Sequence, residues 1–238
     1  MALPGKGCFV CWYDLKPGRD ADHDHWHTHE HMIERVAIPG FLRGCRYRSL
    51  ISSPRTCVIY HVEQVSTLNL PPYLARLNDP TPWTTRTLQQ FDGTNRTMCS
   101  VASSHGLGIG GYLLTIQLSA KAGQGDALQA WLSDDALPAL SARAGLCAAH
   151  LLIGDQDVSN TPTEEKKLRG TPDAVADWIV LVEAYDQAVL EQARAELLGR
   201  DGLFGHGAEE GPLVGLYSLD FSLDEAEAKR VWRHPGKG

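Results

Sequence analysis

The sequence predicts an α+β fold in which one βαββαβ order of elements is run twice in a single chain. Three observations predict it. Short apolar runs rich in β-branched and aromatic residues alternate with helix-period segments, bounded by Gly and Pro, both before and after residue 105. Gly40 follows Trp26 by fourteen residues and Gly145 follows Trp131 by fourteen, an offset of 105 (131 − 26) that also lays Cys8–Tyr13 on Leu113–Leu118. At 238 residues and 43% hydrophobic, the chain can bury one large core or two small ones.

Taken in order, residues 7–15 read as a strand closed by Lys16-Pro17-Gly18. N-cap candidates at 20–24 open a helix that runs to about Ile38, with Trp26, Ile33 and Ala37 (or Val36) on one face, and Pro39-Gly40 ends it. Strands 41–51 and 56–65 follow, joined by a turn at 52–55. Residues 66–91 read as helical, broken by Pro71-Pro72 and by Pro80 and Pro82, before a fourth strand at 97–103. The glycine-rich linker 105–111 precedes a strand instead of opening a helix. It therefore lacks the helix N-terminus that phosphate binding requires. The second run has a strand at 112–120, a helix at 126–144 and a strand at 146–153. A polar excursion at 154–175 comes next, then a strand at 178–185, a helix at 187–198, a loop at 199–211, a strand at 213–222 and a charged tail from 224. The excursion moves the register, so Val62-Glu63 matches Val182-Glu183 at an offset of 120 (182 − 62).

Each run is a ferredoxin-like arrangement, which gives two halves, 1–105 and 106–238, fused in one chain. A four-stranded sheet with helices on one face leaves the other face bare. Two such units bury those faces against each other, sheets packed face to face as a barrel-like sandwich. The expected state is a monomer with an internal pseudo-dimer, or a homodimer of it.

Composition removes several classes of partner. The net charge is −7 with no basic block, which argues against nucleic acid. No apolar run approaches the length of a membrane span, and the first residues lack a secretory pattern. Cys8, Cys11, Cys45, Cys57, Cys99 and Cys147 are scattered in apolar runs, as reduced, packed thiols of a cytoplasmic protein would be. Cys8 and Cys11 have redox-motif spacing, but in a strand. Asn95-Arg-Thr97 is a glycosylation sequon with no use in that compartment.

The chemistry concentrates in the first helix, where His23, His25, His27, His29 and His31 occupy every second position. At helical spacing His27, Glu30, His31 and Glu34 form one polar patch, which His23 extends, while His25 and His29 lie on another side. Glu30 is expected at the edge of the cleft between helix and sheet, where desolvation suits a carboxylate to proton transfer.

The run Trp26-His27-x-x-Glu30-His31-x-x-Glu34-Arg35-x-x-x-Pro39-Gly40-Phe41, with the order of elements, resembles the dimeric α/β-barrel superfamily, including its EthD-like and antibiotic-biosynthesis-monooxygenase-like members. As topology the resemblance covers nearly the whole chain; as motif it covers the first helix and the turn after it. It implies a barrel fold and a small-molecule ligand without naming a reaction. The resulting expectation is an enzyme doing acid–base chemistry of oxygenase, isomerase or decarboxylase type, with no cofactor. Glu30, His27 and His31 move the proton; Trp26, Arg35, Tyr47 and Tyr13 shape the pocket. The alternatives are a non-catalytic ligand-binding or stress-associated protein, a zinc site on the H-x-x-E-H spacing of His27, Glu30 and His31 without an identifiable third ligand, and a haem enzyme. At the offset of 105, Glu30 falls on Asp135 and His29 on Asp134, but His27 falls on Leu132, His31 on Ala136 and Arg35 on Leu140. A single active site therefore belongs to the first half, with the second as scaffold. Trp131, Trp178, His61 and His150 read as core.

Overall fold

The computed structural model describes residues 3–51, 53–170 and 172–232. The N-terminal elements are β1 (Gly7–Leu15), α1 (Asp20–Trp26), a π-helical turn His27–His31, α2 (Met32–Val36), β2 (Phe41–Ser49), β3 (Thr56–Val62), a 3₁₀ turn Val65–Asn69, α3 (Pro71–Asn78), α4 (Pro82–Leu88) and β4 (Phe91–Gly106). The C-terminal elements are β5 (Tyr112–Leu118), α5 (Gly125–Trp131), a second π-helical turn Leu132–Ala136, α6 (Leu137–Ser141), β6 (Leu146–Gly154), α7 (Gln156–Asn160), α8 (Glu164–Arg169), β7 (Trp178–Ala184), α9 (Gln187–Leu197), β8 (Leu213–Asp224) and α10 (Glu225–Val231).

The strands, all antiparallel, close into one barrel in the order β1-β3-β2-β8-β5-β7-β6-β4, with β4 returning onto β1. The runs β4-β1-β3-β2 and β8-β5-β7-β6 repeat one order. They join through β2–β8 and β4–β6 pairing, so the two expected sheets are one continuous surface without a free edge.

Side-chain alternation gives β1 two buried faces. Along β1, Cys8, Val10 and Trp12 point into the barrel, where they meet Tyr47, Ile59, Leu113, Ile179 and Tyr217, and the Trp12 indole donates to Thr115 Oγ1 across it at 3.3 Å. Phe9, Cys11 and Tyr13 point outward and pack beneath α2 and α3 with Met32, Val36, Tyr60 and Leu77. Cys8 and Cys11 thus stand on opposite faces of one strand and cannot form a redox pair. Leu114, Ile116, Leu128, Leu132, Leu140, Val182 and Leu190 fill the corresponding outer space over β5 and β7.

Both Trp-to-Gly spacings end in a left-handed glycine, Gly40 at φ +90° and Gly145 at φ +95°, which turns the helix into the next strand. Four features differ from expectation. Each first-position helix is interrupted by a π turn in which the N–H of Met32 reaches His27 O and that of Leu137 reaches Leu132 O. β4 begins at Phe91 and not at 97, because its polar start pairs with the end of β1, Leu15 opposite Phe91. The excursion 154–175 holds α7 and α8, capped by the side chains of Asp155 and Thr163. The described part of the tail forms α10, which buries Ala228.

Candidate active site

A cavity of about 40 Å³ lies between the outer face of β1, β3 and β4 and the helices that cover it. That is room for a few water molecules. The π turn decides what reaches it. By inserting one residue into the helical repeat, it carries the buried stripe from His23 and His27 to Met32, Arg35 and Val36, and leaves Ile33 and Ala37 half-buried. Trp26, His27, His31 and Arg35 line the cavity from this helix. Tyr13 lines it from β1, Tyr60 from β3 and Arg96 from β4.

The remaining wall comes from the excursion. α8 lies over the cleft, where Glu165 pairs with Arg35, a residue 130 positions away. The backbone N–H of Glu164 donates to Asn78 Oδ1 at 3.1 Å. Arg169 makes a forked bond to Asp173, at 3.0 and 2.7 Å, and Ala174 pairs with the backbone of Thr94 and Arg96. Nothing in the sequence ties 154–175 to the first helix.

The charges are arranged around Arg35. Glu34 Oε1 lies 3.2 Å from Arg35 Nη1 and 3.5 Å from His31 Nδ1, and Glu34 Oε2 lies 3.7 Å from Arg76. Burial opposes the charge on Arg35, but Glu165 and Glu34 outweigh it and hold the guanidinium proton more firmly than usual. Burial likewise pushes Glu34 up, yet Arg35, His31 and Arg76 bring its carboxyl below the ordinary value. Arg96 has no carboxylate partner among its described contacts; it donates to Tyr73 Oη at 3.1 Å and lies 4.9 Å over the Phe9 ring.

Four buried polar atoms in this wall, His27 Nδ1, His31 Nδ1, Arg35 Nη1 and Tyr60 Oη, make no hydrogen bond among the described residues. The His31 and Arg35 atoms still face Glu34 at 3.5 and 3.2 Å, which leaves His27 Nδ1 and Tyr60 Oη without any partner. Burial first, and then the neighbouring His23, His31, Arg46 and Arg35, hold His27 well below the usual imidazole range, so its ring is neutral. Burial also raises Tyr60 and takes Cys11 to about 12, so both keep their protons. An unpartnered buried polar atom costs about 1–3 kcal/mol, and two facing one cavity mark it as built to receive something.

The expected residues are only partly brought together. His27, His31, Trp26, Arg35 and Tyr13 share the cavity. Glu30 does not line it: the π turn swings its carboxylate toward α4, where it accepts from Thr81 Oγ1 at 2.6 Å and Thr84 Oγ1 at 3.2 Å. Tyr47 is on the inward face of β2, inside the barrel and across the sheet from the cavity. Tyr60, Arg96, Glu165 and Arg169 complete the wall and were not expected. Elsewhere, His61 Nδ1 lies 3.7 Å from Cys8 Sγ, and His150 Nδ1 lies 3.0 Å from Ser104 Oγ. Asn95 of the sequon is buried against Gln117.

Among the described residues no three His, Cys, Asp or Glu side chains converge as a metal site, and the His27-x-x-Glu30-His31 spacing is broken by Glu30 turning to α4. A haem would enter this cavity of about 40 Å³ only with α8 displaced from its Arg35–Glu165 contact. No helix among the described residues is long and apolar enough to cross a membrane.

No protein-family profile matches the chain, and neither does any curated protein sequence. Solved structures do. An anthrone oxidase-like protein is similar at a TM-score of 0.63 with 13% identity, over 96% of this chain and 97% of that one. A candidate monooxygenase from Fusobacterium nucleatum gives 0.61 with 7% identity, over 93% and 96%. A candidate chlorite dismutase gives 0.53 with 12% identity, over 94% and 97%. At these identities the likeness shows the fold, a dimeric α/β barrel, and nothing finer.

Proposed function

We propose that the chain is a cofactor-free enzyme that removes a proton from a small organic substrate in the cavity under α8, the step shared by isomerases and oxygenases that act through a substrate anion. The single observation that carries this reading is the pair of unpartnered atoms, His27 Nδ1 and Tyr60 Oη, in one cavity. In this reading His27, neutral because it is buried, accepts the proton. The Tyr60 hydroxyl and the Arg35 guanidinium donate to the oxygen where negative charge develops, and Arg96 supplies the uncompensated positive charge. Likeness to an anthrone oxidase-like protein and a candidate monooxygenase is in keeping with this chemistry. Substrate entry requires α8 to lift from its Arg35–Glu165 contact, since the closed cavity holds only a few waters.

The same reading takes the chain as two ferredoxin-like halves, 1–105 and 106–238, in a cytoplasmic monomer with an internal pseudo-dimer. Support comes from the two π turns at one offset, His27–His31 and Leu132–Ala136, and from the repeated strand order. Where the first run has His27, His31 and Arg35, the second has Leu132, Ala136 and Leu140, which belong to an apolar cluster. The second run serves as scaffold, and its excursion 154–175 roofs the site of the first.

The test is solvent deuterium exchange into a panel of 1,3-diketones and hydroxyaryl ketones, followed by NMR. Wild-type protein is expected to accelerate exchange of at least one compound, and His27→Gln to slow it about 100-fold or more. Glu30→Gln should leave exchange unchanged and cost less than about 1 kcal/mol of stability, because the amide oxygen still accepts from Thr81 and Thr84. Exchange insensitive to His27→Gln overturns the assignment. Saturable binding of the panel without exchange supports a ligand-binding protein instead.

A further inference from the structure

Three groups outside the acid–base assignment form a chain of hydrogen bonds from the cavity wall to water. Tyr13 Oη lies 2.8 Å from His23 Nε2, and His23 Nδ1 lies 2.9 Å from Asp24 Oδ1. Tyr13 and His23 are buried, at 2% and 1% exposure, whereas the Asp24 side chain is 39% exposed. One assignment of protons satisfies both contacts. Asp24 as carboxylate can only accept, so His23 carries its proton on Nδ1; Nε2 is then an acceptor, and the Tyr13 hydroxyl donates to it. This is the polarity of a nucleophile–imidazole–carboxylate triad with a phenol at its inner end.

The chain is held on every side. Arg48 pairs with Asp24 and donates to Thr56 Oγ1, and Arg46 donates to Asp220, Thr28 Oγ1 and the carbonyl of Asp24. Tyr13 stacks on Phe91 with centroids 4.1 Å apart, and the His23 ring lies 5.5 Å from that of His27. The charged or titratable groups around His23 are Asp20, Asp24, His27 and His31 on its own helical segment, Tyr13 on β1, and Arg46 and Arg48 on β2. With two arginines so near, an imidazolium at His23 is disfavoured, so the ring passes a proton on instead of keeping it.

We propose that Tyr13, His23 and Asp24 are a proton relay between the enclosed cavity and solvent, with Tyr13 as its cavity end and His23 and Asp24 as positioning residues. Resting on the proposed proton chemistry, it supplies what that chemistry lacks, an exit for the proton once α8 has closed. A proton arriving on Tyr13 Oη displaces the phenolic proton to His23 Nε2. The Nδ1 proton passes to the Asp24 carboxylate, and Asp24 releases one proton to water. The ligand ends with one proton fewer, the solvent with one more, and His23 returns to its starting tautomer when its ring or its protons reset.

The test needs no substrate. Long-range ¹H–¹⁵N correlation on the full-length protein at neutral pH gives the His23 tautomer. The ¹³Cζ signal of Tyr13 in mixed H₂O and D₂O gives the exchange rate of its buried hydroxyl. The relay predicts the Nδ1–H tautomer and fast hydroxyl exchange. Asp24→Asn should slow exchange at least about tenfold, since an amide cannot take the proton and its N–H₂ can drive His23 to the opposite tautomer. His23→Gln, which keeps an acceptor for Tyr13 but cannot shuttle, should slow it similarly and serves if Asp24→Asn folds poorly. An Nε2–H tautomer in the wild type, or equal exchange in wild type and a folded variant, overturns the relay. Because this readout involves no turnover, its failure leaves the His27 assignment standing. Failure of the His27→Gln test likewise leaves the relay standing.

Discussion

Arg35→Leu is expected to lower folding stability by about 3–5 kcal/mol, the usual cost of removing one partner from a buried ion pair. The side chain is 3% exposed and stands between Glu34 and Glu165, themselves 3% and 6% exposed, so its loss leaves two carboxylates buried beside each other. His31 and Arg76 remain near Glu34, but Glu165 keeps no other ion-pair partner among the described residues. For a chain of this size the loss corresponds to roughly 6–20 °C in the melting midpoint. Leucine itself is not the difficulty, because Leu140 occupies the equivalent place over β5 and β7. Adding Glu165→Leu should therefore restore much of the loss, and a double-mutant cycle in urea gives the coupling directly. A single variant costing under about 1 kcal/mol would show that α8 is not pinned by this pair.

Acid should unfold the protein early. Burial, reinforced by Arg48 and Arg46, brings His23 to about 3, and burial with Arg43 and His150 brings His61 to about 3; His27 is also held well below its ordinary value. The unfolded chain binds protons at these sites from about pH 6.5 downward, while in the native state His23 and His61 do not until near pH 3 and His27 is held well below its ordinary value. Stability is therefore full above about pH 6.5 and falls as pH drops through that window. Each histidine contributes up to about 1.4 kcal/mol per pH unit, and three together about 4. Glu34 adds to the loss at lower pH, since its depressed carboxyl gives stability above the ordinary carboxylate value that disappears as it protonates. Urea midpoints measured from pH 8 to pH 4 should fall steeply below about pH 6. A flat profile to pH 4 would mean that these rings take up protons without cost.

Much of the fold was legible because strands and helices carry their own punctuation: Gly and Pro at the ends, and the fourteen-residue Trp-to-Gly spacing repeated at 105. What escaped has identifiable causes. A 3.6-residue period cannot announce a π turn, so helical spacing points Glu30 toward the cleft whereas its carboxylate goes to Thr81 and Thr84. Tyr13 and Tyr47 could not be told apart because both faces of each strand are buried, and only barrel closure sends one outward and the other inside. Tyr60 did leave a signal. At the offset of 120 it falls on Val180, the same exchange of polar for aliphatic that His27 shows against Leu132. Glu165 left none, since only the folded chain brings a helix from the second run over the first.

The central claim is that the first run keeps polar atoms unpartnered, at a cost in stability, so that a ligand can use them. Thermal unfolding of Tyr60→Phe tests it most directly, because the change deletes one buried, unpartnered hydroxyl and leaves the ring in place. A variant that melts at least about 2 °C above wild type is the predicted result. One that melts below wild type by a similar margin would show that the hydroxyl is already bonded inside the protein, and would contradict the claim.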